Sequence, residues 1–279
     1  MATESKDRVF SGSVAEIYQR YMVPLFFEPY AEDIARRLAP RKPADVLEIA
    51  AGTGAVTRAL AKALPPSTTI IATDLNQPML DEAATHPIAR PVTWRQADAM
   101  QLPFRDASFD AVVCQFGAMF FPDRPRAFAE AHRVLRPGGV FLFNVWDRIE
   151  DNDFADEVTN ALATMFPQDP PRFMARTPHG YHDRDRILRD VRDGGFIADA
   201  EIETVAKRCR APSARVPATA ICQGTLVRGE IEALDAARLN EATEHAAKAI
   251  ARRFGNGIVD GKIQAHVVSV TRPADVARW

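Results

Sequence analysis

The sequence predicts a doubly wound α/β fold built on a mostly parallel sheet. Short apolar, β-prone runs alternate with helical segments over residues 44–146, which is typical of parallel strands joined by helical crossovers. The first strand runs into a loop of small residues that includes Ala50, Gly52 and Gly54, and Asp74 ends the second strand. These features indicate a nucleotide-binding fold, whose ligand lies beyond the carboxyl ends of the strands.

Seven strands account for this alternation. They are predicted at residues 45–49, 69–73, 92–96, 109–116, 140–146, 197–207 and 262–271. Right-handed crossovers then place helices on both faces of the sheet. The run Pro137-Gly138-Gly139 is expected to break the chain before the fifth strand. Pro24 is expected to end a first amphipathic helix over residues 13–21.

The composition favours a protein that acts on small molecules. With 279 residues and a net charge of −2, the chain gives no global electrostatic reason to expect nucleic acid as a partner. No apolar run has the length of a membrane span, and no secretory signal is expected. The three cysteines lack metal-type spacing, so a cytoplasmic protein without a bound metal is expected. The sequence leaves the oligomeric state open.

The small-residue loop at positions 50–54 is called the glycine loop below. Polar side chains follow the strands that come after it. Asp74 lies 20 residues after Gly54, where a carboxylate can accept hydrogen bonds from both ribose hydroxyls of a nucleotide. Asp98 and Ala99 follow the third strand, so that a carboxylate and a backbone N–H can reach an adenine edge. Gln115 ends the fourth strand and faces the same crevice. The position of Asp74 fits either NAD or S-adenosylmethionine.

The chain contains five short motifs, each once and in a fixed order. They are Val-Leu-Glu-Ile-Ala-Ala-Gly-Thr-Gly at 46–54, Thr-Asp-Leu-Asn at 73–76, Gln-Ala-Asp-Ala-Met-Gln-Leu-Pro-Phe at 96–104, Phe-Asp-Ala-Val-Val-Cys-Gln-Phe-Gly at 109–117 and Leu-Arg-Pro-Gly-Gly at 135–139. With them the chain resembles the class I S-adenosylmethionine-dependent methyltransferases, close to the small-molecule enzymes grouped with the ubiquinone/menaquinone C-methyltransferases. The resemblance implies a Rossmann-like methyltransferase fold with helical additions that form a lid.

The resemblance also implies a cofactor and its contacts. The cofactor is S-adenosylmethionine and the product S-adenosylhomocysteine. Gly52 and Gly54 would bring the methionine portion close to the backbone, and Asp74 would bind the ribose hydroxyls. Asp98, with the N–H of Ala99, would recognise adenine.

Further residues complete the implied site. Leu75 and Met79 would pack against adenine, and Gln115 would lie near the sulfonium and its methyl group. Glu48 belongs to the same motif pattern. Ala50 departs from it, because the family often has glycine there, and its methyl group is expected to narrow the room around the methionine portion.

Two alternative functions stay open. A dinucleotide fingerprint Gly-x-Gly-x-x-Gly that begins at Gly52 would need its third glycine at position 57, where this chain has Thr57. This counts against an NAD-dependent oxidoreductase. A non-catalytic protein that binds S-adenosylmethionine is the second alternative, because no obvious catalytic base is visible.

Four regions are predicted along the chain. Residues 1–43 form an N-terminal helical cap, 44–146 the cofactor-binding core, 147–182 an inserted helix and loop, and 183–279 the remainder of the sheet, with a helical insertion at about 211–261. The cap and the two insertions are expected to build the pocket for a small-molecule acceptor.

A general base is needed only if the acceptor must lose a proton near neutral pH. The candidates are Tyr18 and Tyr21 in the first helix, and His179, Tyr181 and His182 after the fifth strand. Helix packing also explains the tyrosines, and loop or helix-cap chemistry also explains the histidines. The atom that receives the methyl group is not predicted.

Overall fold

The structure is a computed structural model that describes residues 12–274. Seven strands, β1 to β7, lie at Asp45–Glu48, Thr69–Asp74, Thr93–Gln96, Phe109–Gln115, Leu135–Trp146, Glu201–Ala211 and Val259–Thr271. They form one sheet in the order β3-β2-β1-β4-β5-β7-β6. The pairs β1–β2, β1–β4, β2–β3 and β4–β5 are parallel. The predicted seven-stranded α/β fold is therefore confirmed.

The strand β1 lies between two parallel neighbours. Val46 is opposite Ile70 of β2 on one side and opposite Ala111 of β4 on the other. Both Val46 and Leu47 are fully buried. A parallel strand that is covered on both faces is typically apolar in its central positions. This burial explains why short apolar runs identify the strands.

The helices α1 to α11 lie at Gly12–Ile17, Glu28–Leu38, Ala55–Ala63, Gln77–Thr85, Arg124–Val134, Asp153–Met165, Phe173–Arg176, Arg184–Asp193, Arg215–Gly224, Val227–Asp235 and Leu239–Phe254. Two of them begin with an aspartate cap. The side chain of Asp123 accepts a hydrogen bond from the N–H of Arg126, and that of Asp183 from the N–H of Arg186. Among residues 12–274, no helix combines the length and apolarity needed to cross a membrane.

The described residues form two compact units. The core unit contains residues 30–145, 182–204 and 266–274, and with them β1 to β4 and the helices that connect these strands. The helical unit contains residues 12–29, 146–181 and 205–265. Within the helical unit, α11 packs against both α6 and α9.

The prediction that Pro24 ends the first helix is wrong. The chain continues from α1 into a π-helix, Tyr18–Phe27, which contains Pro24 and leads directly into α2. The N–H of Glu28 bonds to the carbonyl of Val23, five residues earlier. In an α-helix the proline ring collides with the carbonyl four residues before it. The wider π-turn removes that collision, so the helical path continues.

The expected break at Pro137-Gly138-Gly139 is also wrong. The strand β5 begins before this run, and the run forms a bulge in which Phe109 is opposite Leu135 but Ala111 is opposite Val140. Gly138 has a φ of 83°, and its N–H donates to the carbonyl of Arg272 at 2.8 Å. A partner distant in sequence thus keeps these residues in the sheet.

Candidate functional site

The loop between β1 and α3 alternates between two backbone conformations. Ala50, Gly52 and Gly54 have φ angles of 54°, 55° and 80°. Glycine adopts this left-handed region freely, whereas other residues lose about 1–2 kcal/mol there. Between them, Ala51 donates its N–H to the carbonyl of Thr73 at 2.9 Å, which fastens the loop to the end of β2. The alternation explains why small residues occupy every second position of the motif.

The methyl group of Ala50 fits because position 117 is a glycine. A Cβ atom on Gly117 would lie 2.4 Å from the Cβ of Ala50 and 2.9 Å from the Sγ of Cys114. The preceding residue, Phe116, has a φ of 50° and donates its N–H to the Oδ1 of Asn144 at 2.9 Å. The methyl group of Ala50 thus faces a glycine just after the end of β4.

The substitution Gly117→Ala is expected to destabilise the protein by about 1–3 kcal/mol, the usual cost of overpacking. Ala50→Gly removes one of the two collisions, so the double variant should recover part of this loss. Urea unfolding of the four proteins measures the coupling. If the free-energy changes of the two single variants simply add, the contact between Ala50 and Gly117 does not limit the space at position 117.

Asp74 holds the loop from the end of β2. Its side chain is buried, with 8% exposed. Its Oδ2 accepts a hydrogen bond from the N–H of Gly52 at 2.8 Å, and its Oδ1 accepts one from the N–H of Asn76 at 2.8 Å. Burial raises the pKa of Asp74, although these N–H groups partly oppose the rise. The side-chain Nδ2 of Asn76 also donates to Oδ1, at 3.3 Å. A carboxylate oxygen has two lone pairs, so Oδ2 can accept a further hydrogen bond from a ligand hydroxyl.

Glu48 ends β1 with its carboxyl group inside the protein, where 1% of the residue is exposed. The hydroxyl of Thr57, in α3, donates to its Oε2 at 2.6 Å. Burial raises the pKa of Glu48 to about 8, and the bond from Thr57 and the charge of Arg58 partly oppose this. Glu48 is therefore mainly protonated at neutral pH. In the sequence, Thr57 is recognisable only as the position where a dinucleotide fingerprint would have glycine; its contact with Glu48 appears only in the folded protein.

The segment after β3 forms a tight turn around Asp98. Its Oδ1 accepts a hydrogen bond from the N–H of Met100 at 2.8 Å. The N–H of Leu102 donates to the Oε2 of Glu130 in α5 at 2.7 Å. Ala99 lies buried within the turn. Both residues that were predicted to recognise adenine therefore lie in a hydrogen-bonded turn at the carboxyl end of β3.

The other predicted contacts differ in exposure. Leu75 is 43% exposed, whereas Met79 is buried in α4. Gln115 is half-buried, with its Oε1 3.5 Å from the Nδ2 of Asn144. Asn144 is fully buried in β5 and contacts both Gln115 and the backbone of Phe116. Its signal in the sequence is a polar residue that interrupts a very apolar run.

The residues that were predicted to contact the cofactor lie at the carboxyl-terminal side of the sheet. The strands β3, β2, β1 and β4 are parallel neighbours, so their carboxyl ends point the same way. The set is Glu48, Ala50, Gly52, Gly54, Asp74, Leu75, Met79, Asp98, Ala99 and Gln115. Apart from the two residues next to it in the chain, a Cβ on Gly52 would meet no atom of the described residues within 4 Å. Bare backbone with open space, beside a buried carboxylate, fits the close approach of a nucleoside-containing ligand.

Three of the five candidate general bases, Tyr21, His179 and His182, have different surroundings. Tyr21 is half-buried, with the Cζ of Arg20 5.2 Å from its ring centre. His179 is buried, and its Nδ1 lies 2.7 Å from the carbonyl oxygen of Asp147. His182 is exposed. Tyr21 and His179 belong to the helical unit and His182 to the core unit. Within residues 12–274, no His, Cys, Asp or Glu side chains form a group of three that could hold a metal ion.

The chain is similar in sequence to known methyltransferases. Residues 47–143 match the family model of a methyltransferase domain. The chain is 32% identical to the ubiquinone/menaquinone biosynthesis C-methyltransferase UbiE of Burkholderia orbicola over 163 residues, which are 55% of this chain and 67% of that protein. It is 41% identical to the demethylmenaquinone methyltransferase of Lactobacillus johnsonii over 97 residues, 33% of this chain and 40% of that one. It spans about half the length of such curated relatives.

The fold is similar to that of a solved structure, phosphoethanolamine N-methyltransferase 2 of Haemonchus contortus in complex with S-adenosyl-L-methionine. The TM-score is 0.57 at 19% identity, covering 93% of this chain and 56% of that chain. At this identity the likeness concerns the fold alone. The similarity in sequence also includes the motifs, because the matched residues 47–143 contain the glycine loop, Asp74, Asp98 and Gln115. The chain belongs to the class I S-adenosylmethionine-dependent methyltransferases, in the group of the UbiE-like C-methyltransferases.

Proposed function

We propose that this protein transfers the methyl group of S-adenosylmethionine to a small-molecule acceptor. The observation that carries the proposal is the buried carboxylate of Asp74, whose Oδ2 accepts the N–H of Gly52 at 2.8 Å. This bond joins the glycine loop to the acid at the end of the next strand. The two features are thereby close enough to contact one nucleoside from two sides.

We propose the contacts that the resemblance to class I methyltransferases implies. Asp74 accepts hydrogen bonds from the ribose hydroxyls, and Asp98 with the N–H of Ala99 recognises the adenine edge. Gly52 and Gly54 allow the methionine portion to approach the backbone. The remaining proposed contacts are Glu48, Ala50, Leu75, Met79 and Gln115, of which Gln115 lies near the reacting methyl group.

When bound, S-adenosylmethionine supplies an electrophilic methyl group on a positively charged sulfur. With the cofactor bound, a nucleophilic atom of the acceptor would take the methyl group, and the electron pair of the broken carbon–sulfur bond would stay with the departing thioether. The protein would therefore need no acid beside the sulfur. Any proton on the nucleophile passes to a base or to solvent.

The protein's contribution is to hold the acceptor in line with the breaking bond and to exclude water. Such positioning alone can lower a barrier by about 7–11 kcal/mol. A fixed catalytic triad is therefore not required. A general base contributes only where the acceptor loses its proton near neutral pH, and Tyr21, His179 and His182 are the proposed candidates.

The test compares two cofactors on the same protein. S-adenosylmethionine is expected to raise the melting temperature and NAD to leave it unchanged, because a ligand that binds only the folded state stabilises it. Stabilisation by NAD instead would contradict the proposal and favour an oxidoreductase. Binding of S-adenosylmethionine without transfer to any acceptor in a broad screen would favour the non-catalytic alternative.

A further inference from the structure

The helix α5 carries three long polar side chains on one face. Arg126, Glu130 and Arg133 follow one another at intervals of four and three residues, which places them on the same side of a helix. All three contact the backbone of the turn at residues 98–104, which follows β3. The helix and the turn both belong to the core unit. This face of α5 therefore supports the turn from one side.

Glu130 and Arg133 form an ion pair with two hydrogen bonds. The Nε of Arg133 donates to the Oε1 of Glu130 at 2.7 Å, and its Nη2 donates to Oε2 at 2.8 Å. The two side chains are only 19% and 30% exposed. A guanidinium that donates two bonds to one carboxylate fixes the orientation of both groups. The pair is therefore a rigid part of the helix surface.

This pair binds both backbone groups of Leu102. The N–H of Leu102 donates to the Oε2 of Glu130 at 2.7 Å, and its carbonyl accepts the Nη2 of Arg133 at 3.0 Å. Arg133 also donates from Nη1 to the carbonyl of Phe104 at 2.8 Å. Leu102 itself is buried. Side chains of α5 thus fix the position of the second half of the turn.

The first half of the turn contains Asp98 and Ala99. The Oδ1 of Asp98 accepts the N–H of Met100 at 2.8 Å, and Arg126 donates from Nε to the carbonyl of Met100 at 3.1 Å. Three residues separate Asp98 from Leu102, which the ion pair holds. Because the connection is short and bonded at both ends, few orientations remain for the carboxylate of Asp98.

The hydrogen bonds of the turn leave the N–H of Ala99 for a ligand. The N–H groups that follow it in the turn all donate to protein acceptors; they belong to Met100, Gln101, Leu102 and Phe104. Within the described part of the chain, the N–H of Ala99 has no such acceptor. Ala99 is 9% exposed, and a buried N–H without a partner is unfavourable. A ligand acceptor at this position would satisfy it.

We propose that Glu130 and Arg133, together with Arg126, are positioning residues for the adenine edge of the cofactor. They act through the backbone of the turn, which they hold so that the carboxylate of Asp98 and the N–H of Ala99 meet the base in a fixed geometry. Groups that are ordered before binding lose less freedom on binding, so the affinity is higher. The inference rests on the proposed function, since the adenine contact belongs to it.

Two ligands that differ only at the edge of the base measure this positioning. S-inosylhomocysteine has a carbonyl where S-adenosylhomocysteine has an amino group, and it has an N–H at ring N1. It therefore presents an acceptor to Asp98 and a donor to Ala99. Calorimetry at pH 7 is expected to show that the parent protein prefers S-adenosylhomocysteine by about tenfold or more, the usual worth of a hydrogen bond to a charged group.

The variant Glu130→Ala removes the acceptor of the Leu102 N–H. It is expected to bind S-adenosylhomocysteine about five- to tenfold more weakly and S-inosylhomocysteine unchanged, so the preference falls by the same factor. The inosine compound gains nothing from a well-placed turn, whereas a general loss of folding would weaken both ligands alike. An unchanged preference in a variant whose melting curve shows folded protein overturns the proposal.

The variant Glu130→Gln separates the position of the turn from the stability of the protein. Glutamine loses the charge but keeps an oxygen for the N–H of Leu102, so the preference should stay within about twofold of the parent value. Asp106→Ala is the matched control, since Asp106 is 76% exposed and bonds to Arg133 from outside the turn. A loss of preference in Glu130→Gln as large as that in Glu130→Ala would tie the effect to the charge of the pair and overturn the proposal.

Arg126→Ala decides the question if Glu130→Ala does not fold. Arg126 is exposed, so its removal disturbs the core little, and the preference is expected to fall about two- to threefold with its one bond to the turn. An unchanged preference in this folded variant overturns the proposal. The parent separates the two levels of inference. Binding of neither ligand by the parent would contradict the proposed function and the positioning with it, whereas an unchanged preference in the variants counts against the positioning alone.

Discussion

The variant Asp74→Ala is expected to bind S-adenosylmethionine ten- to a hundredfold more weakly than the parent protein. Hydrogen bonds to a charged group are worth about 1.5–3 kcal/mol each, and Asp74 is proposed to accept them from the ribose. The variant also loses the acceptor of the Gly52 N–H, a 2.8 Å bond that holds the loop. Isothermal titration calorimetry measures the affinity.

The control is Asp81→Ala on the following helix. Asp81 is exposed, and its Oδ1 accepts the side-chain N–H of Gln77 at 2.7 Å, so it offers a carboxylate of the same charge outside the loop. Its removal should leave the affinity unchanged. Equal affinities of the Asp74 variant and the parent would refute the ribose contact.

The pH dependence provides a second readout for Asp74. Burial raises the pKa of this carboxyl group, and the ribose hydroxyls are expected to prefer the ionised form as acceptor. The affinity should therefore fall as the pH is lowered through the pKa of the free protein. Calorimetry in two buffers of different ionisation enthalpy should then show release of a proton on binding near that pKa.

Much of the core unit could be predicted from the sequence because its signals are local. A buried parallel strand is an apolar run, and Val46 and Leu47 show this within one motif. The position of Asp74 also follows from a short count along the chain. Both inferences need only residues that are near in sequence.

Contacts between distant residues set the limit of such prediction. The space that Gly117 leaves for Ala50 appears only when β4 is placed beside β1. The bulge at Gly138 likewise depends on Arg272. In both cases the sequence shows correctly that the residues are small or turn-forming. Their role in the fold, however, depends on a partner more than 60 positions away.

The helical unit was less predictable for another reason. A proline inside an α-helix normally breaks it. Pro24 lies in a π-helix instead, and no local feature of the sequence distinguishes an α-turn from this π-turn. His179 and His182 are also equivalent in sequence terms, since both follow the fifth strand. Burial separates them, because His179 is 4% exposed and His182 is exposed.

The variant Glu48→Gln is expected to be more stable than the parent at pH 7 to 8, although it replaces a residue of the proposed cofactor site. The pKa of Glu48 is about 8 in the folded protein, against an ordinary value of 4.5. Between these values the folded state binds a proton that the unfolded state releases. The parent therefore loses about 1.4 kcal/mol of stability for each unit of pH rise, and on the order of 3 kcal/mol by pH 7.

Glutamine does not titrate, and its side-chain oxygen can still accept the hydroxyl of Thr57. The variant should match the parent below pH 4.5 and exceed it increasingly up to pH 8, as measured by urea unfolding at several pH values. Glu130→Gln is the control, and its effect on stability is expected to have the opposite sign. The reason is that the hydrogen bond from Arg133 lowers the pKa of Glu130. That carboxylate stabilises the fold above its unfolded pKa, so its loss should destabilise the protein at neutral pH.

A stability difference that does not change with pH would show that Glu48 is not the titrating group. If the predicted slope is found, the buried acid costs the folded protein free energy at neutral pH, and glutamine would remove that cost. The same variant then tests the reason for the acid. Higher stability combined with weaker S-adenosylmethionine binding would indicate that Glu48 is retained for the cofactor and not for the fold, as expected where function and stability compete at one position.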